Sequence, residues 1–432
     1  MAASRPLISK KIFAVAALSA LIGLAVGVVL TVQLRPLPAP VVITKKVPAE
    51  PQKPSQVSAI YAPVEIESLP GWADDATLQA LPALRRSCRL LRRKAPETVI
   101  GEGLIARPAA SWHAACTALD NVTDEQTLRE VLSTHFAVFS VAAAVDGTVN
   151  NQGTFTGYYE SDLKGSLTRG GVYQTPIYGP PRNLVTVNLK DFAANADPPP
   201  MGSPASIVGR VVTQENGGQL KPYYSRAEID ASGAIAGDAD VIVWAEDPVD
   251  VHILHIQGSG RVTLPDGHVI RIGFAGHNGL SFRGIGGILL KAGVLKSGQG
   301  SMISVREWLR SHPEQAAEYM NMNARYIFFR RLDPAQTEDG PIGAFGVSLT
   351  PMRSIAVDPR FIPLGVPVWL DTSDPDGVPL QRLVSAQDVG SAIKGTVRGD
   401  FFWGHGSAAF AKAGRMKSDG QYFVFVPKKQ DY

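Results

Sequence analysis

Ala356-Val-Asp358-Pro-Arg-Phe-Ile-Pro-Leu-Gly365, Ser385-Ala-Gln-Asp388-Val-Gly390 and Arg398-Gly-Asp400-Phe-Phe-Trp-Gly404 place three aspartates at the ends of apolar runs, each close to a glycine turn. Asp388 ends a strand-like run, and Asp400 is followed by Phe401, Phe402 and Trp403. A carboxyl against aromatic surface is desolvated, which raises its pKa and suits it to act as a general acid near neutral pH. Aromatic faces beside carboxylates also suit a sugar ring, which presents one apolar face. The competing reading is that each Asp caps a turn or pairs with Arg360, Lys394 or Arg398. Spacing alone leaves both open.

Around these segments the pattern is mostly β. Tyr326–Phe329, Val366–Leu370, Arg382–Ala386 and Tyr422–Val426 read as strands, as do Leu184–Val187, Val241–Trp244 and Val251–Ile256 upstream. Pro265-Asp266-Gly267 between two alternating runs signals a hairpin. Helical spacing marks Leu78, Leu81, Leu84, Cys88 and Leu91, with Arg85, Arg86, Arg89, Arg92 and Arg93 read as a solvated face. A second helix opens at a capping box, Thr123 to Gln126, and a third follows Ser304, with Glu307 in the matching position. The fold class expected is mainly β with flanking helices (α+β), in two β-rich units with a groove between them.

The chain has 432 residues with 42 Gly and 32 Pro, 45% hydrophobic and only 19% charged. That balance excludes a coiled coil, a collagen-like chain and a largely disordered protein. The net charge of +3 is misleading, because residues 1–56 hold seven basic residues and one acid, leaving the rest at −3. A mildly acidic body has no footprint for nucleic acid.

Ile12–Leu34 is an uncharged apolar run of 23 residues, long enough to span a membrane. It is read as an uncleaved transmembrane anchor, against the alternative of a long signal sequence. Lys10 and Lys11 then put residues 1–11 in the cytoplasm and the body outside the inner membrane, in the periplasm. Residues 35–70, with eight prolines between Pro36 and Pro70, read as an extended linker. In an oxidising compartment Cys88 and Cys116 fit either a disulfide between neighbouring helices or two small buried thiols.

Several signatures fail. Gly258-Ser-Gly260 and Gly284-Ile-Gly286-Gly287 lack dinucleotide-fold spacing, and in Gly390–Thr396 the Lys precedes the second Gly of a phosphate loop. The eight His have no ligand spacing, so no metal and no cofactor is expected. Ser391-Ala-Ile-Lys394 fits S-x-x-K, but no S-D-N or K-T-G accompanies it.

The three aspartate segments, together with Gly404-His-Gly406, Ala413-Gly-Arg-Met-Lys417 and Val424-Phe-Val-Pro427, resemble the C-terminal three-aspartate module of the membrane-bound lytic murein transglycosylase A family. Gly153-Thr-Phe-Thr-Gly-Tyr-Tyr-Glu160, Pro222–Ile229, Ile256–Gly260 and Gly276–Gly279 resemble upstream segments of the same family. The resemblance implies a double-psi β-barrel with a smaller inserted β-barrel and a glycan groove. Residues 71–168 would be the first barrel segment, 169–322 the insert and 323–432 the completing segment. It implies Asp400 as catalytic acid/base with Asp388 nearby, and Thr156, Tyr158, Gln257 and Asp358 as substrate contacts. The expected partners are peptidoglycan glycan strands, the membrane through the N-terminal helix, and cell-wall synthesis or hydrolysis proteins. The expected activity is cleavage between MurNAc and GlcNAc with formation of 1,6-anhydroMurNAc ends. An inverting hydrolase using Asp388 and Asp400, or a non-catalytic glycan binder, are the alternatives. The family is usually tethered through a lipidated Cys, where this chain has an apolar segment.

Overall fold

Six strands of the computed structural model pair in a closed ring. The pairing runs from Lys417–Pro427 through Pro367–Ser373, Pro379–Asp388, Ser354–Val357, Arg398–His405 and Gly153–Ser166, and returns to Lys417–Pro427. Ser354–Val357 runs parallel to Pro379–Asp388, and Arg398–His405 runs parallel to Gly153–Ser166; the other four contacts are antiparallel. Closure removes the exposed edges that an open sheet would carry. The structure describes residues 58–189, 206–214, 217–337 and 339–429.

Phe155, Ile355, Trp369, Leu383, Phe401, Tyr422 and Phe425 fill one buried core with Leu84, Leu91, Trp112 and Leu128 from the covering helices. Those helices are Leu81–Leu91, Ala109–Asp120 and Glu125–His135. Each fully buried large apolar side chain contributes roughly 1.5–3 kcal/mol, so this core dominates the stability of the ring. A Cys88–Cys116 disulfide, with Cα atoms 5.4 Å apart, ties Leu81–Leu91 to Ala109–Asp120.

The strand Gly153–Ser166 is 14 residues long and outruns the ring. Its far end pairs in parallel with Ser259–Thr263, which leads on to Val269–His277 and Ile327–Arg331. A second core forms there from Leu163, Val243, Leu254, Val262, Ile272 and Phe329. One strand thus gives Phe155 to the first core and Leu163 to the second. Leu184–Asn188, Ser206–Gln214 and Gly217–Pro222 form a separate three-stranded sheet.

Several expectations need correction. Val251–Ile256 is not a strand but lies in the helix Pro248–Gln257, capped by Asp247, with Pro248 in the first turn and left-handed Gly258 after its end. This helix is buried almost all round, so its apolar run has no helical periodicity to distinguish it from a buried strand. Asp124, not Thr123, caps the second helix, accepting from the Thr127 amide at 2.8 Å. Glu125 instead binds the Thr77 and Leu78 amides. The third helix is Met302–Ser311, capped by Ser301 and not Ser304. The linker reading of 35–70 runs too far, since Ser58–Val64 pairs along Phe136–Val145. Arg86 is buried, not solvated. The anchor at 12–34 and the first part of the linker lie outside the described residues; among those described, no helix is long and apolar enough to cross a membrane.

Candidate active site

Pairing in the ring brings Asp388 and Asp400 together. Ala356 is the register partner of Asp388 on one side and of Asp400 on the other. With strands about 4.8 Å apart, the two aspartate Cα atoms are about 10 Å apart across the sheet, and their side chains share a face. Ala356 lies between them in the sheet. Gly153–Ser166 adds the next row, with Thr156 beside Asp400 and Tyr158 beside Phe402.

Each carboxylate has its own donors. The Thr156 hydroxyl donates to Asp400 Oδ1 at 2.6 Å and accepts from an Arg398 guanidinium N–H at 2.8 Å. Tyr158 donates to Asp388 Oδ2 at 3.0 Å, and the Ala344 amide donates to Asp388 Oδ1 at 2.8 Å. Two glycines permit this spacing. A Cβ on Gly399 would lie 2.7 Å from Ile355 Cδ1, and one on Gly157 would lie 2.6 Å from Trp403 Nε1.

Burial, assisted by the charge of Asp388, pushes Asp400 up to about 6 against the pull of Thr156 and Arg398. Burial also raises Asp388, opposed by the Ala344 and Val389 amides and by Tyr158. Tyr158 is driven well above its usual range, by burial first and then by both carboxylates. It is therefore a neutral donor. The site thus presents one carboxyl that can hold a proton near neutral pH beside a second that is held by three donors.

The other anticipated residues stand apart. Asp358 is 1% exposed, bonded to Arg360 and to the Gly395 amide at 2.9 Å. Burial pushes its pKa up, but these partners outweigh it and hold the carboxylate below its ordinary range. In the structure it ties down the loop before Arg398. Gln257 ends the Pro248–Gln257 helix and accepts from the Tyr159 amide at 3.0 Å, next to Tyr158. Phe401 and Phe402 are buried in separate clusters, Phe402 against Tyr158 at 5.1 Å, so neither offers a face to a sugar. Trp403 is half-buried, 5.0 Å from Phe401. No group of three or more metal-ligating side chains occurs among the described residues.

The MltA specific insert domain is matched over residues 154–330 and the 3D domain over residues 353–426. The crystal structure of MltA from Neisseria gonorrhoeae is 33% identical, with a TM-score of 0.71, over 86% of this chain and 94% of that one. This chain belongs to the MltA family. A membrane-bound lytic murein transglycosylase structure from Agrobacterium tumefaciens is 30% identical over 85% of this chain and 97% of that chain, with a TM-score of 0.71. The membrane-bound lytic murein transglycosylase A of Escherichia coli K12 is 30% identical over 279 residues, 62% of this chain and 64% of that protein. The chain thus spans a little under two thirds of that curated relative.

Within this MltA-family site, sequence reading picked out Asp388, Asp400, Thr156 and Tyr158, and the structure brings them together. It missed the Ala344 amide, a backbone donor that leaves no mark in composition. It also missed Arg86, whose place among exposed-looking arginines hid its burial.

Proposed function

We propose that this chain is a peptidoglycan lytic transglycosylase in which Asp400 serves first as acid and then as base. The observation that carries this reading is Asp400 itself. Its pKa of about 6 keeps about a tenth of the group protonated at pH 7, where an ordinary aspartate would hold almost none, and its Oδ2 has no hydrogen-bond partner among the described residues. Asp400-H protonates the glycosidic oxygen between MurNAc and GlcNAc, and the bond breaks through an oxocarbenium-like transition state. The Asp400 carboxylate then takes the proton from the C6 hydroxyl of the same sugar. The freed oxygen attacks C1 and closes a 1,6-anhydro ring. Because the nucleophile is intramolecular, no second carboxylate is needed to activate water. The charge of Asp388, which its donors favour against burial, helps to keep the proton on Asp400 and faces the positive charge that develops at C1. Thr156 and Arg398 orient Asp400, and Tyr158 and Gln257 belong to the groove wall.

The six-stranded closed ring with two parallel contacts supports a double-psi β-barrel, completed by the 3D segment, with the second core belonging to the insert. On this reading Ile12–Leu34 anchors the protein in the inner membrane and the body works on glycan strands in the periplasm.

The test is mass spectrometry of muropeptides released from purified sacculi by the full chain. Products lighter by one water than hydrolysis gives, ending in 1,6-anhydroMurNAc, are expected. Reducing ends would make water the nucleophile and Asp388 its base, and would overturn the proposal.

A further inference from the structure

Asp388 is held from beyond its own strand. Ala344, whose amide donates to it, lies in the loop that joins Asp339 to Thr350. The loop folds back on itself through Leu349 N–H to the Pro341 carbonyl and Gly343 N–H to the Val347 carbonyl, each 2.9 Å. Phe345 N–H donates to the Gln387 carbonyl at 3.0 Å, next to Asp388. Both ends of the loop meet one side chain. Arg86, buried on the helix Leu81–Leu91, forms a salt bridge with Asp339 at one end and donates to Thr350 Oγ1 at 2.8 Å at the other.

The same helix grips the strand that carries Asp388. Gln387 Nε2 donates to the Ala83 carbonyl at 2.8 Å and to Ser87 Oγ at 2.9 Å. Ser87 also shares a 2.9 Å hydrogen bond with Ser385. Burying an arginine is a poor route to stability, since its desolvation offsets the gain from pairing. A rigid guanidinium fork is, however, well suited to fixing two partners at a set angle.

We propose that Arg86 and Asp339 are positioning residues for the reaction: by tying both ends of the Asp339–Thr350 loop to one helix, they keep the Ala344 amide on Asp388 and Asp388 directed at Asp400. This rests on the transglycosylase reading of the site. When the clamp is cut, Asp388 loses a donor that favours its charged form. It then takes up a proton at higher pH, and the negative charge that supports Asp400 is lost.

The test uses the full chain acting on purified glycan strands, with kcat and KM measured across pH. Asp339 is a third exposed, so Asp339→Asn keeps the shape of the side chain while it takes from the buried Arg86 its charged partner. The expected result is a kcat lower by about tenfold, the worth of one hydrogen bond to a charged group. KM should stay within about twofold, the acid limb of the kcat profile should move to higher pH, and Asp339→Glu should restore most of the activity. Arg86→Lys, which keeps the charge but loses the fork, should show the same shift if Asp339→Asn does not fold. A folded Asp339→Asn with the wild-type kcat overturns the proposal, and so does a lower kcat with an unmoved acid limb. Asp400→Asn in the same assay separates the two claims. If it stays active, the reading of the site falls; if it is inactive while Asp339→Asn behaves as wild type, only the clamp falls.

Discussion

Asp400 keeps Oδ1 on the Thr156 hydroxyl at 2.6 Å, while the Arg398 guanidinium lies behind that hydroxyl at 2.8 Å. Asp400→Asn should cost about 10²–10⁴-fold in turnover, the usual scale of general acid–base catalysis, while glycan binding persists in a pull-down with sacculi. The same substitution has a stability signature. Burial raises the folded-state pKa of Asp400 to about 6, above its ordinary 3.8, so what its protonated form contributes to stability is lost as pH rises through about 6. Asp400→Asn should therefore raise the melting temperature at pH 8 and leave it nearly unchanged at pH 4. Thr156→Val acts the other way on the profile. Removing a donor that lowers Asp400 pushes its pKa above about 6, so the alkaline limb of the pH–rate curve should move to higher pH. A limb that stays put would mean that the hydroxyl does not bond Asp400 in the working enzyme.

The helix Leu81–Leu91 illustrates what can be read at the scale of elements and what cannot. Its apolar spacing is plain in Leu81, Leu84, Cys88 and Leu91, all of them buried. The destination of its arginines is not, because Arg86 becomes buried only through residues more than 250 positions away. The same limit explains Val251–Ile256, where full burial erased the periodicity that separates a helix from a strand. The Cys88–Cys116 bond closes a 28-residue separation, and on chain-entropy grounds it stabilises the fold by about 3.5 kcal/mol. Cys88→Ser with Cys116→Ser should lower the denaturant midpoint by a corresponding amount. Because Cys88 follows the residues that grip Gln387 and Asp339, the loss of activity under reducing conditions should precede global unfolding. Coincident activity and unfolding curves would separate the disulfide from the site.

At the scale of the whole molecule the ring closes through strands remote in sequence. Thr154 pairs with Arg398 and Ser354 with Ser385, and no local pattern announces such contacts. The strand Gly153–Ser166 links the two cores, and at its middle Glu160 is fully buried, with Arg271 Nε 2.7 Å from its carboxylate. Burial raises Glu160 to about 7 even though Arg271 pulls it down. The folded-state pKa lies above the ordinary 4.5, so the contribution of Glu160 to stability is lost as pH rises through about 7. Arg271→Met leaves that carboxylate without its counter-charge and should cost about 3 kcal/mol at pH 8. At pH 5 Glu160 is protonated in the folded protein, and the cost should shrink to that of lost packing. Denaturant unfolding of the full chain at the two pH values measures the difference. An equal loss at both would mean that Arg271 joins the two cores through its packing and its bond to the Thr337 carbonyl, with the charge of Glu160 playing no part.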